Sequence, residues 1–115
     1  MPKNFGKSLM ARHFVITADG GSRGNPGPAA FGAVVYENEK IVKEVGASIG
    51  VASNNVAEYQ GLIAGLKAAN EIDPAATILV KMDSKLVVEQ MSGRWKVKHP
   101  NMKELAKQAL SLIHI

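Results

Sequence analysis

Thr17-Ala-Asp-Gly-Gly-Ser-Arg-Gly-Asn-Pro-Gly-Pro28 is the stretch whose reading decides the fold. An apolar run, Phe14 to Ala18, delivers the carboxylate of Asp19 into a segment dense in Gly and Pro. A second run, from Ala30 to Glu37, then leads away. Runs rich in β-branched and aromatic residues on either side of turn chemistry predict two strands. A third follows from Ile41 to Ile49, and the short polar connection Glu37-Asn-Glu-Lys40 predicts a hairpin between the second and third. These three runs read as an antiparallel meander.

From Asn55 the hydrophobic period changes. Tyr59, Leu62, Ile63 and Leu66 recur at helical spacing, with Ala57, Gly61, Ala64, Gly65 and Ala68 small enough for close packing on a sheet. The helix is expected to end near Asn70, before Pro74. Thr77 to Met82 is apolar nearly throughout and predicts a fourth, central-looking strand. Ser84 to Ser92 predicts a second helix, stopped by Gly93, and Asn101 is expected to cap a last helix through Leu105, Ala109, Leu110 and Leu112. A strand–helix–strand crossover is right-handed almost without exception. It lets strand four lie parallel to strand one on its free side, giving an α/β fold with a mixed sheet in the order 3-2-1-4.

That order brings Asp19 and Asp83 to the carboxyl ends of neighbouring parallel strands, where ligands bind in open α/β sheets. Glu58, on the crossover helix, faces the same volume. Each acid has a local explanation: Asp19 as a turn former, Glu58 as the N3 member of a capping box opened by Asn55, Asp83 as a helix N-cap. Taken together, three close carboxylates repel one another unless a cation neutralises them. Oxygen ligands without cysteine or suitably spaced histidine select Mg²⁺ or Mn²⁺. The glycine-rich loop is no Walker loop, because no Gly-Lys-Ser/Thr follows, and it leads into a strand, so a dinucleotide fingerprint fails. It offers backbone N–H groups and little bulk to an approaching sugar-phosphate chain.

The 115 residues carry a formal net charge of +4, 46% hydrophobic and 21% charged residues, and no cysteine. This is one globular domain, without disulfides, for which a cytoplasmic setting is expected. No run approaches the ~18 apolar residues of a membrane span. Residues 1–12 read as a loose tail and 13–115 as the domain. Beyond Gly93 the chain has Arg94, Lys96, Lys98, Lys103 and Lys107 against Glu104 alone, a footprint suited to phosphate contact or to a solvated helix face.

Three motifs in order, Thr17 to Pro28, Ser53-Asn-Asn-Val-Ala-Glu-Tyr59 and Val80-Lys-Met-Asp-Ser84, resemble the type 1 ribonuclease H family from about His13 to about Leu110. The resemblance implies hydrolysis of the RNA strand of RNA–DNA hybrids with Mg²⁺ or Mn²⁺, and Asp19, Glu58 and Asp83 as catalytic metal ligands. It implies hybrid contacts from the loop residues Gly20, Gly21 and Ser22, from Asn25, Asn54 and Asn55 near the RNA 2′-hydroxyls, and from Ser84, Trp95, Lys96 and Lys98. Trp95 has an alternative as an aromatic lid on the core. The family pattern continues into a fifth strand and a helix with a fourth carboxylate, whereas no acid follows Glu104 here. The sequence therefore reads as truncated at its C-terminus. One ion is expected to bind still, with catalysis by this chain alone weakened or lost and the rival reading a non-catalytic module that binds hybrid or double-stranded RNA. An uncovered strand edge or core face predicts self-association, as a dimer.

Overall fold

A computed structural model describes residues 12–93 and 100–112. Four strands, β1 (His13–Ser22), β2 (Gly27–Glu37), β3 (Lys40–Ala52) and β4 (Thr77–Lys81), form one sheet in the order β3-β2-β1-β4. β1 pairs antiparallel with β2 and parallel with β4, and β2 pairs antiparallel with β3. Three helices accompany them: α1 (Asn54–Ile72), α2 (Lys85–Met91) and α3 (Pro100–Ser111). The order, the meander and the parallel crossover are those expected from the sequence.

The β2–β3 hairpin closes through Asn38 and Glu39, both at positive φ (53° and 67°), the two-residue geometry whose twist matches the flanking strands. β1 runs four residues further than its apolar stretch predicts. Asp19, Gly20, Gly21 and Ser22 all remain in register with β2, opposite Gly32, Phe31, Ala30 and Ala29. The last helix begins at Pro100, so Asn101, the expected cap, is instead its second residue. Proline suits the first helical position because its missing N–H would have had no partner there.

α1 supplies the centre of the core. Tyr59, Leu62, Ile63 and Leu66 are buried against Phe14 and Ile16 of β1 and Val35 of β2, and Met102, Leu105, Ala106 and Ala109 of α3 join the same cluster. The Tyr59 hydroxyl donates to Gln90 Oε1 at 2.6 Å, tying α1 to α2. Arg12 is part of the folded body. Its guanidinium makes two 2.8 Å bonds to the Glu37 carboxylate and lies over the Phe14 ring. Among the described residues no helix is long and apolar enough to cross a membrane.

The helix lies on the sheet with backbone touching backbone. A Cβ at Gly20 would stand 2.3 Å from the carbonyl carbon and oxygen of Ala57 and 2.6 Å from the amide nitrogen of Glu58. One at Gly61 would meet the Asp19 carbonyl oxygen at 3.0 Å. Only glycine allows both approaches. Gly20→Ala is therefore expected to cost about 2–3 kcal/mol, in the range for overpacking against atoms that cannot yield. Gly21→Ala, whose Cβ would meet only Asn54 Oδ1 at 3.9 Å, should cost well under half of that. Urea denaturation of the two variants against the parent measures the difference.

Candidate active site

The register fixes where the acids stand. Thr17 pairs with Lys81 on adjacent parallel strands, and Asp19 and Asp83 each follow two residues later. The Gly20–Ala57 contact then brings the second turn of α1, with Glu58, down beside Asp19. Asp19 and Asp83 are exposed and Glu58 is half-buried. Asp19 and Asp83 both line a concavity of about 1030 Å³ at this end of the sheet, with Lys81 and Glu44 on its sides.

None of the three local explanations for these acids survives. Asp19 sits inside the β1–β2 ladder opposite Gly32, not in a turn. The N-cap of α1 is Ser53, whose Oγ accepts from the Val56 amide at 3.2 Å, so the capping box opened by Asn55 is not formed. Glu58 lies beyond the first turn. The N-cap of α2 is Ser84, accepting from the Val87 amide at 3.3 Å, and Asp83 precedes it.

Electrostatics link Glu58 to the other two acids. The Glu58 carboxyl is raised above its ordinary range, first by burial, then by the charges of Asp19 and Asp83, while a hydrogen bond from Ser84 acts the other way. Ser84 is itself buried, at 7% exposure. Its hydroxyl oxygen caps α2 while its proton serves Glu58, so it fixes the acid that it contacts. Among the described residues no three His, Asp or Glu side chains stand close enough to share an ion. The acids interact at Coulombic range, and their hard-oxygen chemistry fits a divalent cation such as Mg²⁺ or Mn²⁺.

The loop residues are tied to the start of α1. Asn54 Oδ1 accepts from the Ser22 amide at 2.8 Å, with the Ser22 hydroxyl at 2.9 Å, and Asn25 Oδ1 accepts from the Asn54 amide at 3.0 Å. The Asn25–Pro26 peptide is cis. Backbone N–H groups require oxygen acceptors, so the network turns both amide oxygens inward and leaves the NH₂ groups of Asn25 and Asn54 as donors. Gly20, Gly21 and Ser22 lie on β1 beside this network, and Asn55 on the first turn of α1. Sequence reasoning marked these polar residues but missed that Ser22, Asn25 and Asn54 bind one another. It also missed Ser53, which the Ser-Asn-Asn run before an apolar period signals as a cap. Trp95, Lys96 and Lys98 lie outside the described residues.

A family profile described as reverse transcriptase-like matches residues 17–114. A bifunctional protein of Mycobacterium tuberculosis is 60% identical over 100 residues, which are 85% of this chain and 27% of that protein. Ribonuclease HI of Halobacterium salinarum is 44% identical over 96 residues, covering 83% of this chain and 48% of that enzyme. The chain thus spans between a quarter and a half of the length of these relatives. Among solved structures, the N-terminal RNase H domain of a Mycobacterium tuberculosis protein, fused to maltose-binding protein, superposes with a TM-score of 0.86 at 58% identity, covering 89% of this chain and 74% of that one. LC11-RNase H1 in complex with RNA/DNA hybrid superposes at 0.80 with 39% identity, over 86% of this chain and 75% of that one.

The raised Glu58 carboxyl has a consequence for stability. A group whose pKa is higher in the folded state favours folding when protonated, and that benefit is lost as pH rises through the folded value. In buffer containing a chelator, Glu58→Gln should therefore be more stable than the parent at pH 7. The two should converge below the ordinary carboxylate value of 4.5. Thermal melts from pH 3.5 to 7.5 provide the test, and equal pH profiles would contradict it.

Proposed function

The chain belongs to the reverse transcriptase-like, ribonuclease H family, and from that premise we propose that it hydrolyses the RNA strand of RNA–DNA hybrids at Asp19, Glu58 and Asp83. The observation that carries this reading is the convergence of three acids on one end of the sheet after each has lost its local structural reason. A cap or turn residue needs no such neighbours. A carboxyl raised in part by two neighbouring acids, as Glu58 is, is relieved by a cation.

In this reading Asp19, Glu58 and Asp83 would draw together to hold Mg²⁺ or Mn²⁺, and the ion would supply activation of water and stabilisation of charge on the leaving oxygen. Ser84 holds the Glu58 carboxylate in place and limits its protonation. Asn25 and Asn54 present NH₂ donors to 2′-hydroxyls, the groups that distinguish RNA from DNA. Gly20, Gly21 and Ser22 let the backbone approach closely, Asn55 adds a donor on α1, and Trp95, Lys96 and Lys98 supply stacking and phosphate contact. A cysteine-free chain suits a cytoplasmic setting, and the sheet edge and face left uncovered among the described residues suit self-association.

Two readouts separate this from its rival. Labelled hybrid incubated with the protein and Mg²⁺ or Mn²⁺ should lose its RNA strand, and Asp19→Asn should slow cleavage by on the order of 10²-fold or more. Mg²⁺ should also raise the melting temperature of the parent but not of Asp19→Asn, because a ligand that binds only the native state stabilises it. Salt-sensitive retention of hybrid without cleavage in either metal would make the protein a binding module.

A further inference from the structure

The candidate site depends on a helix too short to hold itself. Isolated helices of fewer than about a dozen residues are marginal in water, and α2 has 7 residues. Of these only Val87 is fully buried. One apolar anchor leaves a helix free to pivot. Yet Asp83 stands directly before the α2 cap, Ser84, so any swing of α2 carries two groups of the site with it.

Two bonds to α1 remove that freedom. At the start of α2 the buried Ser84 hydroxyl serves Glu58. In its last turn Gln90 Oε1 accepts from the Tyr59 hydroxyl at 2.6 Å. Glu58 and Tyr59 are neighbours in α1, so their side chains leave it about 100° apart. Ser84 and Gln90 are separated along α2 by roughly 9 Å at the helical rise. Two adjacent residues of one helix thus hold both ends of the other. One tether would fix a point; two fix the direction as well.

Tyr59 also has a plain packing role. Among the described residues it is the largest fully buried side chain, and phenylalanine would fill the same space. The hydroxyl is the part that packing does not require. A buried tyrosine needs a partner for its O–H, and the partner here is a side chain of the short helix.

We infer that Tyr59 is a positioning residue: through Gln90 it sets the seat of α2, and so where Asp83 and Ser84 stand against Glu58. Fully buried, it touches no substrate and acts through these groups. Its functional consequence rests on the proposed hydrolase reading, whereas the clamp between the helices belongs to the fold alone.

Tyr59→Phe keeps the buried ring and removes only the hydroxyl. Amide hydrogen exchange reads the clamp at Val87 and Val88, whose N–H groups donate to Ser84. In Tyr59→Phe these amides should lose about fivefold more protection than those of Leu62 and Leu66 in α1. Gln90→Met should do at least as much. Adding Tyr59→Phe to it should have no further effect, because the bond is already gone. Loss spread evenly over α1 and α2 would mark a merely structural tyrosine and overturn the inference.

The functional arm uses Mn²⁺ alone and then hybrid. Tyr59→Phe should weaken Mn²⁺ binding about fivefold, and lower kcat for hybrid cleavage without raising KM. Unchanged Mn²⁺ affinity in the variant overturns the inference. If the parent neither binds Mn²⁺ nor cleaves hybrid, the hydrolase reading fails by itself. Unchanged amides in Tyr59→Phe then overturn the clamp, and selective loss at Val87 and Val88 upholds it.

Discussion

The contact on which the rest of the structure depends is the seating of α1 on β1 without an intervening side chain. Gly20 lies against the Ala57 carbonyl, and Gly61 against the Asp19 carbonyl oxygen. A sheet and a helix ordinarily meet through interdigitated side chains. Here, at one end, they meet through backbone. That closeness sets the height of Glu58 above the strand ends and hence its distance from Asp19. It also lets Tyr59 fill the space beneath α2, where its hydroxyl reaches Gln90 and steadies the helix that Ser84 caps. Packing and site geometry are therefore one constraint, and a methyl group at Gly20 disturbs both.

The topology was legible because it follows from few rules. Hydrophobic period separated strands from helices, and the handedness of one crossover put β4 beside β1. What misled was local chemistry read in isolation. Asp19-Gly-Gly-Ser22 has the composition of a turn, since glycine and aspartate are poor strand formers. Yet the ladder with β2 continues through it, because Ala29, Ala30 and Gly32 are small partners and the one large partner, Phe31, stands opposite bare Gly20. Propensity yields to pairing there. The start of α1 was misplaced for the opposite reason. Asn55 and Glu58 have the right spacing for a capping box, but Ser53 competes for the same role and its hydroxyl takes the Val56 amide.

The acids of the site were legible as types and positions, while their coupling was legible only through topology. No window of sequence contains all three, and each occupies a place where a cap or turn is the commoner explanation. Once Ser53 and Ser84 prove to be the caps, those explanations are already filled by other residues. The loop presents the reverse case. Ser22, Asn25 and Asn54 were visible as polar residues suited to a nucleic-acid backbone, but sequence says nothing about amide orientation. The structure supplies it: the oxygens are committed to backbone N–H groups. The same bonds that stiffen the loop also decide that its outward side donates.

Two features of this chain are unfavourable for the isolated fold, and they lie at adjoining places. At the carboxyl end of the sheet, Glu58 is half-buried in the field of Asp19 and Asp83, so ionisation there opposes folding at neutral pH. On the sheet face that no described helix covers, Leu79 and Ile41 stay more than half exposed, and apolar surface of that kind favours a covering partner. Natural sequences keep such conflicts chiefly where function uses them. A cation answers the first by binding the native arrangement of acids, and an element packed on the apolar row answers the second. Because Asp19 shares the open face with Thr17 and Val15 by strand alternation, the two remedies act on one strand. Val15 stands two alternations from the carboxylate, so cover at its row and an ion at Asp19 bear on different stretches of β1.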